Sequence, residues 1–236
     1  MFPNRPLILA SKSPRRSQLL REAGFDFSVH GLDVDESFTD DMPVEEVAEY
    51  LARRKALAGR HLVQDREILL SADSVVILNG KIYNKPEDYD DAFRMIRLLS
   101  GAQHTVITGV CLLAAEQERS FSDRSEVHFE PLSDEEIDYY IRTCKPFDKA
   151  GAYGVQEWIG LCKIRRIEGS YANVMGLPVH RVYDRHRFVS LPQRKCAHAP
   201  GYFGVAENRH CAQRYLFGRL RQLQLQPLAP VGLCTE

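Results

Sequence analysis

No apolar run in the 236-residue chain approaches the roughly 20 residues that a membrane-spanning helix needs. Residues 1–6 carry Arg5, but no long apolar region follows, so no secretory signal is read there. Net charge is lacking too. Lys and Arg number 31 against 32 Asp and Glu, so no global field draws the chain to nucleic acid. Neither a membrane nor nucleic acid is an expected partner. The six cysteines (Cys111, Cys144, Cys162, Cys196, Cys211 and Cys234) never fall in a Cys-x-x-Cys spacing. Free thiols in a reducing compartment follow, which makes a cytoplasmic location the expectation. Residues 1–190 hold no His-rich or Cys-rich metal spacing, so Mg²⁺ or Mn²⁺ is favoured over Zn²⁺ as any divalent cation. No internal repeat is found.

The chain is 44% hydrophobic and 27% charged, which suits a globular domain with a sizeable core. Residues 7–10 read as a short buried strand, broken by Ser11-Lys12-Ser13-Pro14. Ser13 suits an N-cap and Pro14 the first helical position, so a helix to about Ala23 follows, closed by Gly24. A second helix is expected over 44–58, with Glu45 and Glu46 in its first turn. Residues 68–78 read as a strand buried on both faces, and Asn79-Gly80 as a type I′ hairpin turn into a return strand at 81–84. A third helix is expected over 87–99. Strands are expected over 104–114 and 121–130, a helix from the capping box at Ser133 to about Cys144, a strand over 161–167 and a last helix near Pro178. This alternation with a hairpin argues α/β with a mixed sheet. From about 191, proline, arginine and glutamine become frequent. The chain therefore divides into a domain at 1–190 and a C-terminal extension at 191–236. That extension reads as disordered or, from Leu216, Leu220 and Leu223, as a short helix.

Several residues could carry chemistry. Arg16 shares a helix face with Leu19, Leu20 and Ala23, where it either snorkels to water or, with Lys12 and Arg15, meets an anion at the helix N-terminus. Lys55 falls roughly 20° from Val44 on the second helix, in the middle of the apolar stripe. It either reaches water or meets a counter-charge in a cleft. Asp73 interrupts an apolar strand, and a buried carboxylate needs a partner, a metal or a shifted pKa. Asp33, Asp35 and Glu36 read locally as a solvated loop. Phosphoanhydride hydrolysis would use such a set: cations for the phosphates, carboxylates for a divalent metal, and a base for water.

The order of the motifs resembles the Maf family of nucleotide pyrophosphatases. The N-terminal segment Leu9-Ala10-Ser11-Lys12-Ser13-Pro14-Arg15-Arg16 is followed by Val34-Asp35-Glu36, Ala52-Arg53-Arg54-Lys55-Ala56, Ala72-Asp73-Ser74-Val75-Val76 and Lys85-Pro86. Then come Leu99-Ser100-Gly101, a motif running from Asp148-Lys149-Ala150-Gly151 to Gln156, and Gly169-Ser170-Tyr171 ahead of Gly176-Leu177-Pro178. The resemblance covers residues 7–188. It implies an elongated mixed sheet flanked by helices with a central nucleotide cleft, an inosine-triphosphatase-like fold that is often dimeric. It also implies cleavage between the α- and β-phosphates, releasing pyrophosphate, with a divalent metal cation. Asp73 is then the proton acceptor. Ser11, Arg16, Lys55, Lys85 and Lys149 serve the phosphates, and Glu36 with Asp73 the metal. Arg15, Ser74 and Gln156 are the positions of substrate specificity. Arg15 and Gln156 resemble the branch acting on dTTP and UTP, whereas Ser74 stands where threonine is usual. The resemblance thus implies a dTTP/UTP pyrophosphatase, a nucleotide diphosphatase that could clear modified pyrimidine nucleotides. A nucleotide-binding regulator of cell division with little catalysis is the alternative. In the extension, Cys196, His198, His210 and Cys211 match no standard zinc spacing.

Overall fold

The computed structural model describes residues 5–39, 41–64 and 66–189. The extension at 191–236, with Cys196, His198, His210 and Cys211, lies outside the described residues.

Strand β1 (Leu7–Leu9) leads into α1 (Pro14–Glu22) and β2 (Phe27–Val29). Helix α2 (Val47–Ala58) precedes the long strand β3 (Ile68–Leu78), its hairpin partner β4 (Lys81–Tyr83) and α3 (Tyr89–Leu99). Two further long strands, β5 (Gln103–Leu113) and β6 (Glu118–Phe129), are followed by α4 (Asp134–Cys144) and α5 (Trp158–Lys163). The described chain closes with β7 (Ile164–Glu168), α6 (Tyr171–Met175) and α7 (Val179–Val189). The sheet runs β2-β1-β3-β5-β6-β7, with β4 also on β3. Strands β1, β2 and β3 pair in parallel and the remaining pairs are antiparallel, so the sheet is mixed as expected.

Alternation along β3 builds the two faces. Leu70 and Ala72 pack with α1, α6 and α7 through Leu20, Met175 and Val182. On the other face, Leu69 and Val75 meet Ala52, Ala56, Val47, Ala48 and Leu51 of α2. A third cluster joins Val76 and Val106 to Ile96, Ile137, Tyr140 and Ile159 of α3, α4 and α5.

Several boundaries move for local physical reasons. Helix α2 starts at Val47, because Pro43 to Glu46 form a turn closed by Glu46 N–H on Pro43 O (2.9 Å), so Glu45 and Glu46 precede the helix. Ser13 holds an extended N-cap backbone without a side-chain cap; the hydroxyl of Ser11 accepts from Ser13 N instead (3.1 Å). Asp88 caps α3 by accepting from Asp91 N at 2.8 Å, which starts that helix at Tyr89. Leu161 to Lys163 complete α5, and the strand expected from 161 begins only at Ile164. Gly160 N–H and Leu161 N–H both close on Glu157 O, which commits the segment to a helical turn. The hairpin turn and the capping box at Ser133 form as read, with Asn79 and Gly80 both at positive φ.

His104 is buried at 2% exposure among Phe129 and Tyr153, its Nε2 2.8 Å from the Tyr153 hydroxyl. Burial pushes its pKa down to about 4, only partly opposed by Glu126. The unfolded imidazole takes up a proton near its ordinary value of about 6.5 while the folded one stays neutral. Stability is therefore whole above about 6.5 and falls as pH drops toward about 4, by up to about 1.4 kcal/mol per pH unit. Urea unfolding at pH 7 and pH 5 should show that loss, and His104→Gln should flatten it.

Candidate active site

The cleft begins as a gap in the sheet. Along one edge of β3, Ile68 to Leu70 pair with β1 and Val76 to Leu78 with β4. Between them, residues 71–75 have no strand on that side, while β5 runs unbroken along the other. The chain leaves β1 after Ala10 N–H bonds Leu70 O (2.8 Å), and the loop after β1 and the residues after β4 turn aside there. They open a cleft of about 580 Å³. Ser11, Arg15, Arg16, Glu36, Lys55, Asp73, Ser74, Lys85, Asp148, Lys149 and Gln156 all line it. The residues singled out in the sequence therefore converge from seven separate segments.

Asp73 and Ser74 point to opposite faces at the gap, as successive strand residues must. On the α2 face, Lys55 Nζ lies 2.7 Å from Asp73 Oδ1 and 2.8 Å from Glu36 Oε1. Lys85 Nζ stands 3.7 Å from Glu36 Oε2. The apolar stripe of α2 thus ends in a lysine that meets two carboxylates, and Glu36, which read locally as a solvated loop residue, stays half-exposed yet lines the cleft. Burial opposes ionisation of Glu36, but the hydrogen bond and charge of Lys55, with Lys85 and Arg16, outweigh it and hold its pKa below the usual range.

The other face binds Arg16. Its Nε donates to Gly176 O (2.9 Å), and its terminal nitrogens donate to Ser11 Oγ (3.3 Å) and Ser74 Oγ (3.2 Å). These acceptors are neutral, so the guanidinium charge is left for an incoming anion. Burial lowers its pKa, with Asp73 the main opposing influence; the guanidinium remains charged at any ordinary pH. Ser74 Oγ also lies 2.9 Å from Thr108 Oγ1, which donates to Asn173 O (3.0 Å).

The far wall is an ion chain. Arg15 donates to Asp148 Oδ2 (2.7 Å), Lys149 Nζ to Asp148 Oδ1 (2.7 Å), and Lys149 also pairs with Glu157 at 3.0 Å. Burial raises the Asp148 pKa, but hydrogen bonds from Lys149 and Arg15 overcome it and lower the net value. Next along, Gln156 Oε1 is buried and has no partner. Lys12 and Asp33 also line the cleft and pair with each other, while outside it Arg54 pairs with Asp35 (3.3 Å).

The sequence reading missed Glu157, Tyr140 and Gly109. Only Gly109 carried a signal, as an isolated glycine in an apolar strand, which marks close approach of another backbone.

Among the described residues no group of three or more His, Cys, Asp or Glu is placed to hold a metal ion. Glu36 and Asp73 remain as a pair of hard oxygen donors facing the same lysine. That is a fit for an ion such as Mg²⁺, which takes one or two carboxylates and fills its other positions with water and substrate phosphate.

The family described as Maf-like protein matches residues 6–187. A dTTP/UTP pyrophosphatase of Bacteroides thetaiotaomicron is 49% identical over 178 residues, covering 75% of this chain and 92% of that protein. One of Phocaeicola vulgatus is 51% identical with the same coverage. Among solved structures, the Ham1 protein of Staphylococcus aureus is 15% identical with a TM-score of 0.40, covering 53% of this chain and 72% of that one. A family match across most of the sheet and every wall of the cleft, joined by relatives near half identity, places this chain in the Maf family.

Proposed function

We propose that this chain hydrolyses dTTP and UTP to the monophosphate and pyrophosphate. The observation that carries the reading is one cleft lined both by a carboxylate held by a lysine and by Gln156, whose amide oxygen has no partner in the protein. Relatives near 50% identity bear the name dTTP/UTP pyrophosphatase.

Arg16, Lys55, Lys85 and Ser11 hold the phosphates. Arg16 has no carboxylate to give up, while Lys55 exchanges part of its contact with Glu36 for phosphate oxygen. Lys149, already paired with two carboxylates, contributes to the phosphate field from behind Asp148. Lys55 engages Asp73 Oδ1, and Oδ2 is assigned to the attacking water. As water attacks the α-phosphorus, Asp73 takes its proton, the α–β bridging bond breaks and pyrophosphate leaves. A divalent cation, when bound by Glu36 and Asp73, supplies charge neutralisation on the phosphates. The free thiols of Cys111, Cys144 and Cys162 suit the cytoplasm, where we place this activity.

Gln156 explains the base. Its free Oε1 is an acceptor, and uracil and thymine present a ring N–H that cytosine lacks. Pyrophosphate release should therefore be measured on dTTP, UTP, CTP and 7-methyl-GTP with Mg²⁺ or Mn²⁺. Preference for dTTP and UTP is expected; release of orthophosphate, or no turnover of any of the four, overturns the reading. Gln156→Leu should lower kcat/KM for dTTP by about tenfold or more and for CTP by clearly less, because the ring N–H of thymine loses its acceptor and cytosine has no ring N–H to lose.

A further inference from the structure

Glu157 lies behind the cleft rather than on it, yet it joins two of the cleft's walls. One carboxylate oxygen pairs with Lys149 Nζ at 3.0 Å, and the other accepts from the Tyr140 hydroxyl of α4. The Tyr140 oxygen in turn accepts from Gly154 N at 3.0 Å. Glu157 N–H closes the turn on Gly154 O, also at 3.0 Å, and that turn carries Gln156. The carboxylate packs directly beneath it: a Cβ on Gly154 would stand 2.8 Å from Glu157 Cδ and 3.0 Å from Gln156 Nε2. In the other direction, Lys149 holds Asp148 and Asp148 holds Arg15. The side chain of Glu157 is only 19% exposed, so water does little to loosen these contacts.

We infer that Glu157 is a positioning residue for base recognition, fixing Arg15 and Gln156 in one frame through Lys149 and the 154–157 turn. The charges along the chain alternate, with Arg15 and Lys149 against Asp148 and Glu157. Removing the last carboxylate leaves Lys149 with Asp148 alone, and Arg15 loses part of its anchor. Removing the Tyr140 hydroxyl instead strands the buried Gly154 N–H and frees the turn. The two changes act on different ends of the same frame. An ion pair with a purely structural role would lower stability and affect every substrate equally.

The inference rests on the pyrimidine reading above, and its test keeps the two apart. Glu157→Gln retains an acceptor for Tyr140 but turns an amide toward Lys149. It should lower kcat/KM for dTTP by about tenfold to a hundredfold while CTP changes little, because small displacements of orienting groups cost that much. Tyr140→Phe should shift the dTTP to CTP ratio in the same direction, and it carries the test if Glu157→Gln does not fold by circular dichroism. A folded variant that keeps the wild-type ratio, or that loses both substrates equally, overturns the inference. If the wild type turns over no nucleotide, the pyrimidine reading fails by itself. Calorimetry with dTMP then decides: about tenfold weaker binding to Glu157→Gln than to wild type supports the frame, and equal binding overturns it.

Discussion

Asp73→Asn is expected to lower pyrophosphate release from dTTP by about a hundredfold to ten-thousandfold, the range for loss of a general base. The amide keeps the shape of the carboxylate and an oxygen that can accept from Lys55, so the 2.7 Å contact has a neutral replacement. Lys55 also keeps Glu36 at 2.8 Å and is not left as an uncompensated buried charge. The fold should survive, and the loss should appear in kcat more than in KM, because the proton moves only in the transition state. Pyrophosphate release beside a thermal melt separates the two effects. A folded Asp73→Asn protein with wild-type turnover would remove Asp73 from the chemistry.

A large effect on stability is expected from Gly109→Ala. Gly109 stands directly across from Asp73 in the β3–β5 register. A Cβ there would lie 2.2 Å from the carbonyl carbon and oxygen of Ala48 and 2.3 Å from Glu49 N, all backbone of α2. No rotamer relieves such a clash, so the helix must move, at about 3 kcal/mol or more. Lys55 lies seven residues on from Ala48, about two turns along the same helix, so displacement also pulls the ammonium from Asp73. Gly80→Ala is the matched control. Gly80 has φ +71° with nothing within 4 Å of an added Cβ, so only backbone strain of about 1 kcal/mol is expected and activity should be retained. Urea denaturation of the two variants gives the comparison; equal midpoints would mean that α2 has room to shift.

Features governed by local sequence were legible in advance. Strand β3 matches its expected limits, because a largely apolar stretch, broken only by Ser71, Asp73 and Ser74, ends at an Asn-Gly turn. Helix α4 begins where its capping box says. Longer-range competition was not legible. Nothing local distinguishes Leu161 to Lys163 as helix, since the same apolar spacing fits a strand, and the closing bonds to Glu157 O decide it. The site divides the same way. Lys55 and Asp73 were conspicuous because each breaks an apolar pattern, and they meet each other. The place of Glu36 on the cleft was not visible, because an acidic loop reads as solvated until its partners, Lys55 of α2 and Lys85 after β4, are placed. Glu157 is the extended N-cap residue of α5 and Tyr140 an ordinary helical residue of α4, and only folding brings the Tyr140 hydroxyl to Glu157 and the 154–156 turn.

The interrupted edge of β3 has a consequence for solubility. Residues 71–75 have no strand partner on the cleft side, and with Ser71, Ala72 and Val75 buried, Asp73 and Ser74 are where an extended segment from another chain could reach that edge. Asp73 and Lys55 stand at that edge, and an intruding strand would have to bury both charges. The pair therefore guards the fold against edge-to-edge association while leaving the opening wide enough for a polar ligand. Neutralising both positions together would remove the guard as well as the chemistry, and the resulting chain should aggregate on concentration where Asp73→Asn alone remains in solution.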